Sequence, residues 1–144
     1  MVGFMCEALH KVGSSTHAFF RAVDLMDMYF KSSTASVPKC ELHLIGVTCM
    51  LLASKMEDAV PFSVEVANLK IAHGGYSVED ILAMELEILS VLQFEFGRPA
   101  LLEIAERVAL KRHSLNFESL EPLVITLSKT VCFDHKLLEQ HGRE

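Results

Sequence analysis

The stretch LIGVTCMLLASKMEDA, residues 44–59, decides the fold of this 144-residue chain. From Leu44 to Ala53 its side chains are apolar apart from one Gly and one Thr. A helix that is apolar on every side is one surrounded by other helices. The stretch therefore predicts a central helix, running from about Lys39 to Glu57, with Gly46, Cys49 and Ala53 at close helix contacts. Its apolar run stops abruptly at Ser54 and Lys55, followed by Met56, Glu57 and Asp58. A cation thus arrives where the core should end.

The flanking segments read as the neighbours of that helix. Phe4, Met5, Ala8, Leu9 and Val12 form a helical stripe that Gly13 stops. Ser14, Ser15 and Thr16 offer an N-cap to a second helix. That helix carries Phe19, Ala22, Val23, Met26 and Phe30 on one face, with Arg21, Asp24 and Lys31 elsewhere. A loop spans 32–38, with Pro38 near the start of the central helix. Beyond it, Pro61 interrupts, Ser63 caps a short helix through Ile71, and Gly74-Gly75 ends it. Ser77 and Asp80 form a capping box for a fifth helix, SVEDILAMELEILSVLQF. Gly97 and Pro99 punctuate. A sixth helix over 99–111 turns Leu101, Ile104, Ala105 and Val108 inward. A seventh spans about 119–131, with Pro122 tolerated in its first turn. No segment alternates with period two, so the chain reads as all-α.

Composition narrows the function. Apolar residues make up 51% of the chain and mean hydropathy is +0.32. No apolar run approaches the roughly 20 residues that cross a bilayer, and no charged segment leads an apolar one as in a secretory signal. A large core or a greasy partner surface accounts for the excess. Cys6, Cys40, Cys49 and Cys132 form no CxxC pair and read as free thiols in a reducing compartment. The net charge of −6 disfavours generic phosphate-backbone binding, and the cluster Lys111-Arg112-His113 does not reverse that. The 7 His are scattered, and His135 and His141 would not share a helix face. No HExxH, GxSxG or Gly-rich phosphate loop occurs, so neither a metal centre, a cofactor nor an enzymatic activity is expected.

Two charges stand out instead. The fifth helix has an apolar stripe at Val78, Ile81/Leu82, Ile88/Leu89 and Leu92, and Glu85 sits in its middle. Burying Glu85 or Lys55 alone would cost several kcal/mol. Either the two meet, or both face a groove where a partner's backbone satisfies them, or Lys55 snorkels and Glu85 is a solvated rim residue. Leu52 and Met56 flank one charge; Leu86 and Leu89 flank the other.

At these residues the sequence resembles a known family. HLIGVTCMLLASKMED, residues 43–58, and SVEDILAMELEILSVLQFEF, residues 77–96, resemble the cyclin box of the A/B-type mitotic cyclins. LLASK and MExxILxxLxF stand about 28 residues apart, as in that family. Residues 1–30 align with the first two box helices, with Phe20, Ala22, Val23 and Asp27 on typical residues. The resemblance covers residues 1–97 as an N-terminal cyclin box and, more weakly, 98–144 as the start of a second, C-terminal box.

The resemblance implies a five-helix bundle around the third helix. It also implies binding and activation of a cyclin-dependent protein kinase in the nucleus and cytoplasm, with no catalytic group of its own. By that resemblance Lys55 and Glu85 bond to backbone near the start of a kinase helix, and Leu52, Met56, Leu89 and Phe94 grip the same helix. An Arg-x-Leu docking patch is implied only in part. The chain begins at the last position of its MRAIL-like stretch; Phe4 stands where Trp is usual, Glu7 matches an acidic residue, and His43 stands where Gln is common. Two further readings share the fold: a scaffold that no longer activates a kinase, and a transcription-factor-B-like DNA-binding protein, whose basic face this acidic chain lacks.

Overall fold

The computed structural model describes residues 1–33, 38–112 and 117–133. The expectations for His113, His135 and His141 lie outside the described residues. Among those described, every regular element is helical: α1 (Val2–Lys11), α2 (Thr16–Ser32), α3 (Leu42–Glu57), a short α4 (Val64–Val66) that runs into a π-helical turn (Ala67–Ile71), α5 (Val78–Val91), α6 (Leu101–Arg112) and α7 (Phe117–Phe133). They form two compact units. One holds Met1 and Gly3–Arg98; the other begins at Pro99 and is grouped with Val2.

In the first unit α3 is central. Ten consecutive residues, Ile45 to Ser54, are buried, and α2, α5 and the π-turn all pack against it. Thr48 survives in this run because its hydroxyl donates to the Leu44 carbonyl at 2.8 Å, the local bond that lets a helix carry a buried hydroxyl. Cys49 and Ala53 are fully buried. Gly46 differs from expectation. A Cβ there would meet the side-chain tip of Met1, with Sδ at 2.9 Å, and not the backbone of another helix. The helix also begins at Leu42, three residues later than the pattern suggests, after a turn closed by Glu41 N–H on the Pro38 carbonyl.

Caps explain most of the boundaries. Ser15 accepts from Ala18 N–H at the start of α2, and Ser77 and Asp80 close both bonds of a capping box at α5. At the end of α1, Gly13 and Ser14 N–H donate to the His10 and Leu9 carbonyls, a Schellman motif with Gly13 at φ +73°. The end of α5 repeats this motif with the wrong residue. Gln93 and Phe94 N–H donate to the Ser90 and Leu89 carbonyls, with φ of +52° and +59°. The helix therefore stops at Val91 and does not run on to Phe94.

Side-chain placement corrects three readings. Arg21, read as lying off the apolar face of α2, is buried at 7% exposure, while Phe30 on that apolar face is only half-buried. In the second unit α6 and α7 pack together, but α6 buries Leu102 and exposes Ile104 and Val108. Its inner line is shifted by one residue from the expected stripe. Helix α7 starts at Phe117, so Pro122 lies past the first turn and removes one helical hydrogen bond.

Candidate functional site

The last turn of α3 and the middle of α5 bring the two conspicuous charges together. Lys55 Nζ lies 2.5 Å from Glu85 Oε1. The pair is lopsided: the Lys55 side chain is 43% exposed and that of Glu85 only 11%. Glu85 sits among the buried residues Ile81, Met84 and Ile88 of α5. Its carboxylate thus emerges from the apolar face, and Lys55 covers it from the solvent side.

Apolar side chains surround this pair in sequence. Met56 is 41% exposed, Leu86 64% and Phe94 65%; Leu89 is half-buried. Leu52, one turn before Lys55, is buried and offers support more than surface. Leu82, also on α5, is a further exposed apolar residue. The left-handed corner at Gln93–Phe94 holds Phe94 outward, its ring in edge contact with Phe96.

Lys55 belongs to a four-residue stretch, Lys55 to Asp58, with three separate anchors. Glu57 Oε1 accepts from Arg21 Nε on α2 at 2.7 Å, and Arg21 Nη1 also donates to the Arg98 carbonyl at 2.7 Å. Asp58 caps α3 and accepts from Ser14 Oγ at 2.5 Å, Ser15 N–H at 2.9 Å and Ser54 Oγ at 2.7 Å. Burial pushes the Asp58 carboxyl up, but these Ser14, Ser15 and Ser54 bonds outweigh it and hold the group below the usual carboxylate range. The end of α3 is therefore fixed to the start and middle of α2, which fixes Lys55. Sequence reading missed Arg21, Glu57 and Asp58. A charge just past an apolar run looks like an ordinary solvated helix end.

The residues expected to form a docking patch fall elsewhere on the first unit. The Phe4 and His43 rings meet at a tilt of 47° with centroids 5.0 Å apart, and His43 Nδ1 lies 3.0 Å from the Tyr76 hydroxyl. All three are half-buried, whereas Glu7 is exposed. Tyr76 was not foreseen; no pattern ties a loop tyrosine to α1 and α3.

Other polar groups serve the fold. The Tyr29 hydroxyl donates to Glu87 Oε1 at 2.6 Å, joining α2 to α5. Burial, with Asp27 adding to it, pushes the Cys49 thiol up, so it stays protonated and unreactive. The four cysteines are free thiols. Among the described residues, no group of three or more His, Cys, Asp or Glu is placed to hold a metal ion, and no helix is long and apolar enough to cross a membrane.

Comparison with known proteins agrees with this architecture. The family model of the cyclin N-terminal domain matches residues 1–97. The chain is 35% identical over 133 residues to cyclin-A3-2 of Arabidopsis thaliana, covering 90% of this chain and 34% of that protein. It is 34% identical over 108 residues to the G2/mitotic-specific cyclin-B of Spisula solidissima, covering 74% and 24%. It is 30% identical over 139 residues to the G2/mitotic-specific cyclin-B of Patella vulgata, covering 92% and 33%. The chain thus spans no more than about a third of these relatives' length. With an all-helical fold built round α3 and a family match over two thirds of its residues, this chain belongs to the cyclin family.

Proposed function

We propose that this chain is a regulatory subunit that binds a cyclin-dependent protein kinase through the Lys55–Glu85 face and favours its active form in cell-cycle control. The observation that carries the reading is the pair itself. A carboxylate is buried in the apolar face of α5 and covered by a half-exposed lysine, with exposed Met56, Leu86 and Phe94 on the same two elements or just beyond them. Such an arrangement offers one donor and one acceptor, with exposed apolar residues close by in sequence, to the end of a partner helix. The names of the relatives, G2/mitotic-specific cyclins among them, support the same reading. On this proposal residues from Pro99 onward are the start of a second cyclin box.

The chain would contribute no catalytic group. A protein kinase needs its Lys–Glu ion pair formed by inward placement of one helix. A subunit that binds that arrangement more tightly than the withdrawn one shifts the population toward it. Substituting Ala for Lys55 or Glu85 removes a charge-assisted hydrogen bond worth roughly 1.5–3 kcal/mol. Kinase affinity should fall about 10- to 150-fold, since ~1.4 kcal/mol is tenfold. The fold should survive Glu85→Ala, because the lysine left behind is 43% exposed; Lys55→Ala leaves the mostly buried Glu85 carboxylate unpaired and should lower stability by about 1–3 kcal/mol without unfolding the chain. Affinity by calorimetry and unfolding by circular dichroism, measured on both variants, test this. Unchanged affinity in both, or equal binding without any rise in kinase activity, would leave a cyclin-fold scaffold.

A further inference from the structure

The chain has 7 methionines, and the fold sorts them by exposure. Met5 and Met50 are wholly buried, Met26 and Met84 nearly so, and Met28 is half-buried. Met1 is 38% exposed, but its Sδ packs against α3, 2.9 Å from where a Cβ on Gly46 would stand. Met56 is the most exposed of the seven, at 41%. It sits in the last turn of α3 between two anchored neighbours. Lys55 bonds to Glu85 on α5, and Glu57 bonds to Arg21 on α2. Successive residues stand about 100° apart round a helix, so Met56 projects outward between those two contacts.

We infer that Met56 is a site of reversible oxidation by peroxide, and that its sulfoxide switches off the binding face beside Lys55. The switching rests on the kinase-binding reading above; the oxidation chemistry does not. Hydrogen peroxide transfers one oxygen to the thioether sulfur. An S–O bond forms, the O–O bond breaks and water leaves; the sulfur loses the two electrons that the peroxide gains. Susceptibility follows exposure, so the core methionines are shielded. The product replaces a flexible apolar side chain with a polar, chiral one. In the free chain that group stays in water, and the fold stands. Against an apolar partner surface it loses that water, and binding weakens. The thiols do not offer the same switch. Cys49 and Cys132 are buried, Cys6 is on α1, and Cys40 precedes the start of α3, the opposite end from Lys55.

The test exposes the full chain to hydrogen peroxide and follows each methionine by peptide-mapping mass spectrometry. Dithiothreitol is then added, which reverses disulfide and sulfenic products at cysteine and leaves sulfoxide in place. Affinity for a purified cyclin-dependent protein kinase is measured by calorimetry before and after. Met56 should gain oxygen at least about tenfold faster than Met5 and Met50, and binding should then weaken about tenfold with the helical circular dichroism unchanged. Methionine sulfoxide reductases for both epimers should restore the affinity. In Met56→Leu, whatever its starting affinity, the same treatment should leave binding where it began. The inference is overturned if Met56 reacts no faster than the buried methionines, if its oxidation leaves binding unchanged, if Met56→Leu loses as much, or if the oxidised chain unfolds. Each of those results leaves the kinase-binding reading standing. An unoxidised chain that does not bind the kinase would sink that reading, and the switch with it.

Discussion

Asp58 shows how much of the candidate site rests on a residue that never touches it. It accepts hydrogen bonds from Ser14, Ser15 and Ser54, and so ties the end of α3, three residues beyond Lys55, to the start of α2. Hydrogen bonds to a charged group contribute about 1.5–3 kcal/mol, and Asp58→Asn should cost about that much at neutral pH. Because the folded carboxyl is held below its ordinary value, its contribution is present above the unfolded pKa of about 3.9. It is lost as pH falls through the lower folded value. Urea midpoints of wild type and Asp58→Asn should therefore differ at pH 7 and converge as pH drops below about 4. A gap that stays constant to pH 2 would mean that the carboxylate charge is irrelevant. At this scale the sequence revealed Lys55 and Glu85, since both break an apolar pattern. It concealed Arg21, whose burial depends on Glu57 from another helix and on no local pattern. Removing one member of such a pair leaves the other charge stranded, at about 3–5 kcal/mol when fully buried.

Among the elements, α1 and α5 end in the same motif with opposite legibility. Gly13 announces the end of α1 because glycine takes a positive φ without steric cost. Gln93 occupies the equivalent position in α5, and nothing in a glutamine signals a stop. The pattern-based boundary therefore overran to Phe94. For similar reasons the stripe of α6 was misread by one position: Leu101 and Leu102 are adjacent, and periodicity alone does not choose between them. The capping box of α5 and the all-apolar run of α3 were legible because each is a local rule that tertiary packing only reinforces. A left-handed non-glycine residue costs roughly 1–2 kcal/mol, and glycine returns about 0.5–1 of that through its looser unfolded chain. Gln93→Gly should therefore stabilise the chain by about 0.5–1 kcal/mol, which thermal unfolding would register as a rise of a few degrees. A fall in melting temperature would show that the Gln93 side chain contributes more to the fold than its backbone strain removes.

For the molecule as a whole, the deepest side chains belong to one unit, with Leu102 of the second the exception. Leu9, Phe20, Leu25, Ile45, Met50, Leu51, Ile71, Ile81 and Ile88 are almost wholly buried and all lie between Gly3 and Arg98. That unit also holds the paired charges and the Asp58 anchor. Its size is within the range of chains that fold alone. Helices α6 and α7 differ: Ile104, Val108, Leu110, Leu123, Leu127 and Phe133 are exposed on them. Helices of this length are marginal in water without tertiary packing. A fragment of residues 1–98 should therefore keep its helical circular dichroism and unfold in a single cooperative transition. A fragment of residues 99–144 should show little helix by itself. If 1–98 instead gives a broad, non-cooperative melt and binds a hydrophobic dye, its core depends on the later helices. The two compact units would then be one folding unit, and every site placed here on the first would need those helices to hold its shape.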